Sequence, residues 1–289
     1  MQLGDLIKSR RLELGMTQKE LAQGICTQAL ISRIENNDTI PKKDILDQFE
    51  KRLELMHTEL NIFYNLKSNQ HKIDELIKEI RDAINRRDYK SIELLIIYNK
   101  EIIASSKDIN DIAFFNWMNA SICHQLHKKS DKALEILNKI PLEDLKDELS
   151  IEIVNATGLI YYQRKEFKPA LASFYTGMQK INDQVDFKLQ AKLLFNYTLT
   201  LEESDKNKDA LDTLLSGIEL LLENDSLFLL GDFYYTKAFI FNKLNNHAEA
   251  ISNLELAKTI FKIQNNSRFY DLSTFAISEI KKELVKTEE

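Results

Sequence analysis

Four small-residue dipeptides, Ala133-Leu134, Ala170-Leu171, Ala210-Leu211 and Ala250-Ile251, recur at intervals of 37, 40 and 40 residues. A period of this size restricts a chain to stacked supersecondary units, each burying its apolar face only against its neighbours. An aromatic-rich helical pattern precedes each dipeptide, and Leu137, Phe174, Leu214 or Leu254 follows its alanine one helical turn later. The clearest copy runs Gly158-Leu-Ile-Tyr161, Ala170, Phe174, Gly177, the small and aromatic spacing of a tetratricopeptide repeat. Small residues at 158 and 170 let two helices approach, and aromatic rings fill the space between them. The period exceeds the usual value of about 34, which predicts longer helices. A degenerate copy is predicted over 72–103 around Tyr89 and Ile92, and a last helix over 267–285 to cap the array with a polar outer face.

Seven glycines and three prolines in 289 residues allow few tight turns, so the chain reads as all-α. Cys26 and Cys123 stand in separate segments and build no disulfide framework. The chain opens on a charged helix without an apolar leader, and no run approaches the length of a membrane span. A cytoplasmic protein without membrane contact is therefore expected. The net charge of −6 argues against a protein that coats nucleic acid. Residues 1–66 hold nine Lys and Arg against ten Asp and Glu, with the cations concentrated in 1–43.

That first segment nevertheless carries a distinctive order of helices. Residues 3–14 are amphipathic and close on Gly15, and Thr17-Gln-Lys-Glu20 is a capping box opening a short helix over 17–23. A turn through Gly24, Ile25 and Cys26 leads to Thr27, which can cap a third helix. Placing successive residues about 100° apart gathers Gln28, Ala29, Ser32, Arg33 and Asn36 on one side and Leu30, Ile31 and Ile34 on the other. Amide, hydroxyl and guanidinium groups on one small-residue face can read base edges in a major groove, although a solvated face has the same look. Pro41 is expected to open a fourth helix with Ile45, Leu46, Phe49, Leu53 and Leu55 inward, and residues 57–66 a fifth. The domains predicted are 1–66, a linker or helical continuation at 67–71, and a repeat domain over 72–289.

The groove of such an array is lined by the first helix of each repeat. Asn119, Asn155 and Asn196 lie 14, 15 and 14 residues before their alanine anchors, with Thr236 at the matching place in the last repeat. An asparagine amide offers a donor and an acceptor, which suits a peptide backbone; asparagine is also simply abundant here.

The stretch TQKELAQGICTQALISRIENN (17–37) resembles the phage-repressor-like helix-turn-helix proteins. That resemblance implies that Gln18 contacts phosphate, that Thr27, Gln28, Ala29, Ser32 and Arg33 lie on DNA, and that Arg11 and Glu35 form a structural salt bridge. The whole chain, through FFNWM (114–118), IVNATGLIYY and LLFNYTLTLEE, resembles the peptide-pheromone regulators of Gram-positive bacteria of the PlcR type. This implies a five-helix DNA-binding domain, then a right-handed superhelical array of about five tetratricopeptide-like pairs. It further implies a homodimer on an imperfect palindrome of double-stranded DNA, controlled by a short signalling peptide in quorum sensing. By the same resemblance Asn155 and Asn196 hold the peptide backbone, Arg87 in NRRDYKSI matches a lysine near the peptide, and Tyr64 lines the near end of the groove.

No Ser-His-Asp set, phosphate loop or paired carboxylates in a recognisable context is present, so a non-enzyme without cofactor is expected. Cys123 and His127 stand one turn apart but lack further ligands, so no metal site is expected. The competing class is a repeat scaffold whose first domain is a degenerate helical cap, a reading supported by its weak basicity.

Overall fold

The computed structural model describes the backbone of residues 3–55 and 57–288, and their side chains except those of 57–68 and 285–288. Every regular element among the described residues is helical, and the chain forms two compact units, Met1–Phe115 and Asn116–Glu289.

The first unit opens with α1 (Leu3–Glu13), α2 (Gln18–Ala22), α3 (Gln28–Glu35) and α4 (Lys43–Leu53). Leu3, Ile7, Leu21, Ile31, Ile34, Leu46, Phe49 and Leu53 form their shared core. With five residues α2 is too short to persist alone, so its ends are held from outside. The predicted capping box is present: the Glu20 amide donates to Thr17 Oγ1 at 3.2 Å and the Thr17 amide to Glu20 Oε2 at 2.7 Å. At the other end Arg52 of α4 donates to the carbonyls of Leu21 and Gln23. Gly15 takes the left-handed φ of 68° that closing α1 requires. The fourth helix starts later than Pro41 suggests. The amides of Ile45 and Leu46 bond the Lys42 carbonyl at 3.1 and 3.0 Å, which makes Lys42 the cap and leaves Pro41 buried ahead of the helix.

The fifth helix does not end near 66: α5 runs from His57 to Asn85, so residues 67–71 are helical. Helices α6 (Tyr89–Tyr98) and α7 (Lys100–Ser105) follow, and Ile73, Leu76, Ile80 and Ala83 of α5 are buried with Ile92 of α6.

Helix α8 (Ile109–Gln125) crosses into the second unit, which continues with α9 (Ser130–Leu137), α10 (Asp147–Gln163), α11 (Phe167–Met178), α12 (Phe187–Glu203) and α13 (Asn207–Glu223). Helices α14 (Leu230–Lys243), α15 (His247–Ile263) and α16 (Ser267–Glu288) complete it. The pairs α10/α11, α12/α13 and α14/α15 pack as hairpins, and α12 touches both α10 and α14, so the first helices form a row. Four of these helices are 17 residues long, which accounts for the long period.

A second periodic feature marks the turns. Arg87, Lys128, Lys165, Asp205 and Asn245 all have φ between 56° and 61°, and each stands five residues before a fully buried Ile92, Ala133, Ala170, Ala210 or Ala250. In four of them the next amide reaches back over the turn to close the helix end: Asp88 to Ala83, Glu166 to Tyr161, Lys206 to Leu201 and Asn246 to Phe241, each at 2.9 Å.

Between helices the contacts are tight. A Cβ added at Gly158 would stand 2.4 Å from the Phe174 ring, one at Gly217 2.4 Å from Phe233, and one at Gly231 2.7 Å from Phe261. Gly217→Ala is therefore expected to cost about 1–3 kcal/mol, since a close-packed interior yields only by moving side chains off their rotamers. The check is a lower urea midpoint with unchanged far-ultraviolet circular dichroism before the transition.

Candidate functional site

Helix α3 presents the two faces its sequence requires. Ile31 and Ile34 are buried, whereas Thr27, Gln28, Ala29 and Arg33 are exposed and Ser32 is half-buried. Thr27 is the N-cap, its Oγ1 accepting the Leu30 amide at 3.3 Å.

The polar face is wired to a buried ion pair. Arg11 Nε meets Glu35 Oε1 at 2.5 Å and Arg11 Nη2 meets Oε2 at 2.9 Å, with side chains only 8% and 1% exposed. Arg11 Nη1 also donates to the Met16 carbonyl at 2.7 Å, joining α1 to the approach of α2. The carboxylate can only accept, so Gln18 turns its Nε2 to Glu35 Oε2 at 2.9 Å. Its own oxygen then accepts Gln28 Nε2 at 2.7 Å. Each link fixes the sense of the next amide. Gln28 is left presenting its Oε1 and one remaining N–H outward, the acceptor and donor pattern that matches the major-groove edge of adenine.

Burial alone lifts the Glu35 carboxyl, but hydrogen bonds from Arg11 and Gln18 and the charges of Arg11 and Lys8 outweigh it and hold the group below the usual carboxylate range. The folded value lies below the unfolded one. Its stabilisation is therefore complete above the unfolded pKa of about 4.3 and is lost as pH falls through the folded value.

In the second unit the structure joins two of the predicted residues. Asn196 Nδ2 of α12 donates to Asn155 Oδ1 of α10 at 2.8 Å, and both side chains are half-buried. The pair leaves Asn155 Nδ2 as a donor and Asn196 Oδ1 as an acceptor, the complement of one peptide group. Asn119 is half-buried on α8. Thr236 is 7% exposed, which takes it off this face and ends the amide ladder. Arg87 is exposed on the left-handed turn after α5, in the first unit. Tyr64 lies outside the residues whose side chains are described.

His124, beside Cys123, is tied to Ser130 Oγ at 3.0 Å and Gln163 Oε1 at 2.7 Å, a link between repeats. Among the described residues no group of three His, Cys, Asp or Glu could hold a metal ion, and no helix is long and apolar enough to cross a membrane. What sequence reasoning missed is the role of Glu35 in orienting Gln18. Its place seven residues after Gln28, two turns on along the same side of the helix, was the available signal.

A helix-turn-helix family model matches residues 7–60, and the model of the RNPP family C-terminal domain matches residues 77–279. No curated protein sequence matches the chain. Among solved structures the chain is similar to PlcR of Bacillus thuringiensis in complex with the peptide PapR7 and DNA, at 22% identity and a TM-score of 0.62, over 94% of this chain and 98% of that one. The apo form of PlcR gives 20% identity and 0.64 over 95% and 98%. The apo competence regulator ComR of Streptococcus vestibularis gives 15% and 0.54 over 96% and 97%. At these identities the likeness is one of fold.

Acidification through the lowered folded pKa of Glu35 is expected to loosen the first unit as the carboxyl takes up its proton, seen as lost hydrogen-exchange protection in α1 and α3. Glu35→Gln is expected to cost about 3–5 kcal/mol at neutral pH, because it leaves the Arg11 guanidinium buried without its countercharge. The same variant should lose part of the acid dependence.

Proposed function

The chain belongs to the RNPP family, and from that membership we propose a sequence-specific DNA-binding transcription regulator controlled by a short signalling peptide. The family is one of regulators and not of enzymes. In this reading residues 1–66 bind DNA, 67–71 continue α5 as a helical linker, and 72–289 sense the peptide and dimerise. Two copies engage an imperfect palindrome in the cytoplasm, with α3 in the major groove. Gln28 and Arg33 read bases, Thr27, Ala29 and Ser32 lie against the groove, and Gln18 also meets phosphate. The observation that carries the DNA half is the chain from Glu35 through Gln18 to Gln28, which orients a base-reading amide before any DNA arrives.

The peptide half rests on the joined amides of Asn155 and Asn196, with their free donor and acceptor side by side. Asn119, Arg87 and Tyr64 are proposed as further peptide contacts. The relative PlcR was solved with both a peptide and DNA, which supports assigning both ligands here.

In a gel-shift titration on a palindromic operator, Gln28→Ala with Arg33→Ala should weaken binding at least about tenfold, since a good bidentate base contact contributes about 1–3 kcal/mol. Unchanged binding would mean that α3 is not the reader. A cognate peptide at about 100 times its Kd should stabilise the protein by about 2.7 kcal/mol, and Asn155→Ala with Asn196→Ala should remove that thermal shift.

A further inference from the structure

The polar run Lys67-Ser-Asn-Gln-His71 has the composition of a linker but stands inside α5, directly ahead of the buried stripe that begins at Ile73. Asn69 and Gln70 are turned to the helices that follow. Asn69 Nδ2 donates at 3.3 Å to Oγ of Ser105, the last residue of α7. Gln70 Nε2 donates at 2.9 Å to Oδ2 of Asp111, in the first turn of α8. Ser106 Oγ donates to that same oxygen at 2.8 Å and accepts the Asp108 amide at 3.2 Å, so the turn between α7 and α8 closes around Asp111. The Asp111 residue is only 7% exposed. A carboxylate at that depth depends on its donors, and here one comes from the turn and the other from α5.

α5 thus meets α7 and α8 through amides, hydroxyls and a carboxylate at this level, which explains a polar stretch in the middle of a helix. Such hydrogen bonds exchange with water at small net cost, so the joint can open and reclose without unfolding either helix. We propose that Asn69 and Gln70, with Ser105, Ser106 and Asp111, form a polar latch that sets the direction of α5 and through it the half-site spacing the protein accepts on DNA. The inference rests on the DNA reading above. On the reader's side the connection is firm: Arg10 Nε of α1 donates to the Leu53 carbonyl at the end of α4 at 3.0 Å. On the other side α8 continues unbroken into the second unit, which carries dimerisation on that reading, so the latch ties α5 to the dimer. Gln70 lies thirteen residues along α5 from His57, about 20 Å of helix at about 1.5 Å per residue. A tilt of about 10° at Gln70 moves that end by about 3.5 Å, close to the rise of about 3.4 Å per base pair. Asn69 and Gln70 are therefore positioning residues, acting on DNA through α5 and not by contact.

The test is selection from a random duplex library by the full-length protein and its variants, followed by binding titrations on the selected duplexes. Asn69→Leu with Gln70→Leu removes both donors while retaining helix propensity. The wild-type pool should contain two half-sites at one separation. The double variant should recover the same half-site at several separations. Its affinity for the wild-type spacing should fall about tenfold or more as avidity is lost, with affinity for a single half-site kept within about twofold. Gln70→Glu, which sets a second carboxylate against Asp111 without adding apolar surface, should broaden the separations in the same way. Asp111→Asn keeps an amide oxygen that can accept from both Gln70 and Ser106, and should retain the single separation. The latch is overturned if the double variant or Gln70→Glu keeps the wild-type separation, or if Asp111→Asn broadens it as much as they do. It is also overturned if single-site and two-site affinities fall together, the result of a merely structural role. A wild-type pool without paired half-sites would remove the DNA reading itself, and the latch with it.

Discussion

A phenylalanine ring seated where a Cβ would otherwise stand sets the spacing of the second unit. Phe174 fills the notch at Gly158 and Phe261 that at Gly231 within a repeat, while Phe233 fills that at Gly217 between one repeat and the next. These rings are fully buried, so the contacts are dry as well as close. Because interiors pack at crystal-like density, a helix held this way has one position and not a range of them. The row α10, α12, α14 inherits that precision. Asn155 and Asn196 reach each other across two helices only because the backbones beneath them are fixed.

The first unit solves a comparable problem with charge. A buried ion pair is poor evidence of net stability, since desolvation offsets most of its attraction. Arg11 and Glu35 instead contribute definition: the pair joins α1 to α3, and the second carboxylate oxygen anchors Gln18. A hydrophobic substitute of equal volume could match the packing but could not orient an amide. The polarity of Gln28 on the exposed face is thus decided by a carboxylate in the interior.

Much of this was legible in the residues. The capping box at Thr17, the left-handed Gly15 and the two faces of the 27–36 segment depend on local chemistry, and each appears as read. The alanine anchors marked the repeats because only small residues fit where paired helices cross. Other features depend on partners distant in sequence. The polar run Lys67-Ser-Asn-Gln-His71 looks like a linker, but it contains neither Gly nor Pro, and the buried stripe Ile73, Leu76, Ile80, Ala83 carries the helix onward. The turns were concealed because Arg, Lys, Asp and Asn occupy left-handed positions where glycine is the usual sign. Thr236 at the matching place already left the ladder incomplete, but its burial depends on neighbouring helices that a single-helix pattern does not contain.

The charge balance bears on how such a regulator could be controlled. With nine cations against ten acids in residues 1–66, one copy neutralises few phosphates, so its sequence-independent affinity is low. Two such readers joined in one dimer gain an effective local concentration in place of charge, and that gain disappears when their spacing no longer matches the half-sites. On the proposed reading, a peptide lying across α10 and α12 would not have to touch α3 or alter its chemistry. A change in the placement of two weak readers would suffice, and a repeat array fixed by dry ring-in-notch contacts is stiff enough to transmit it.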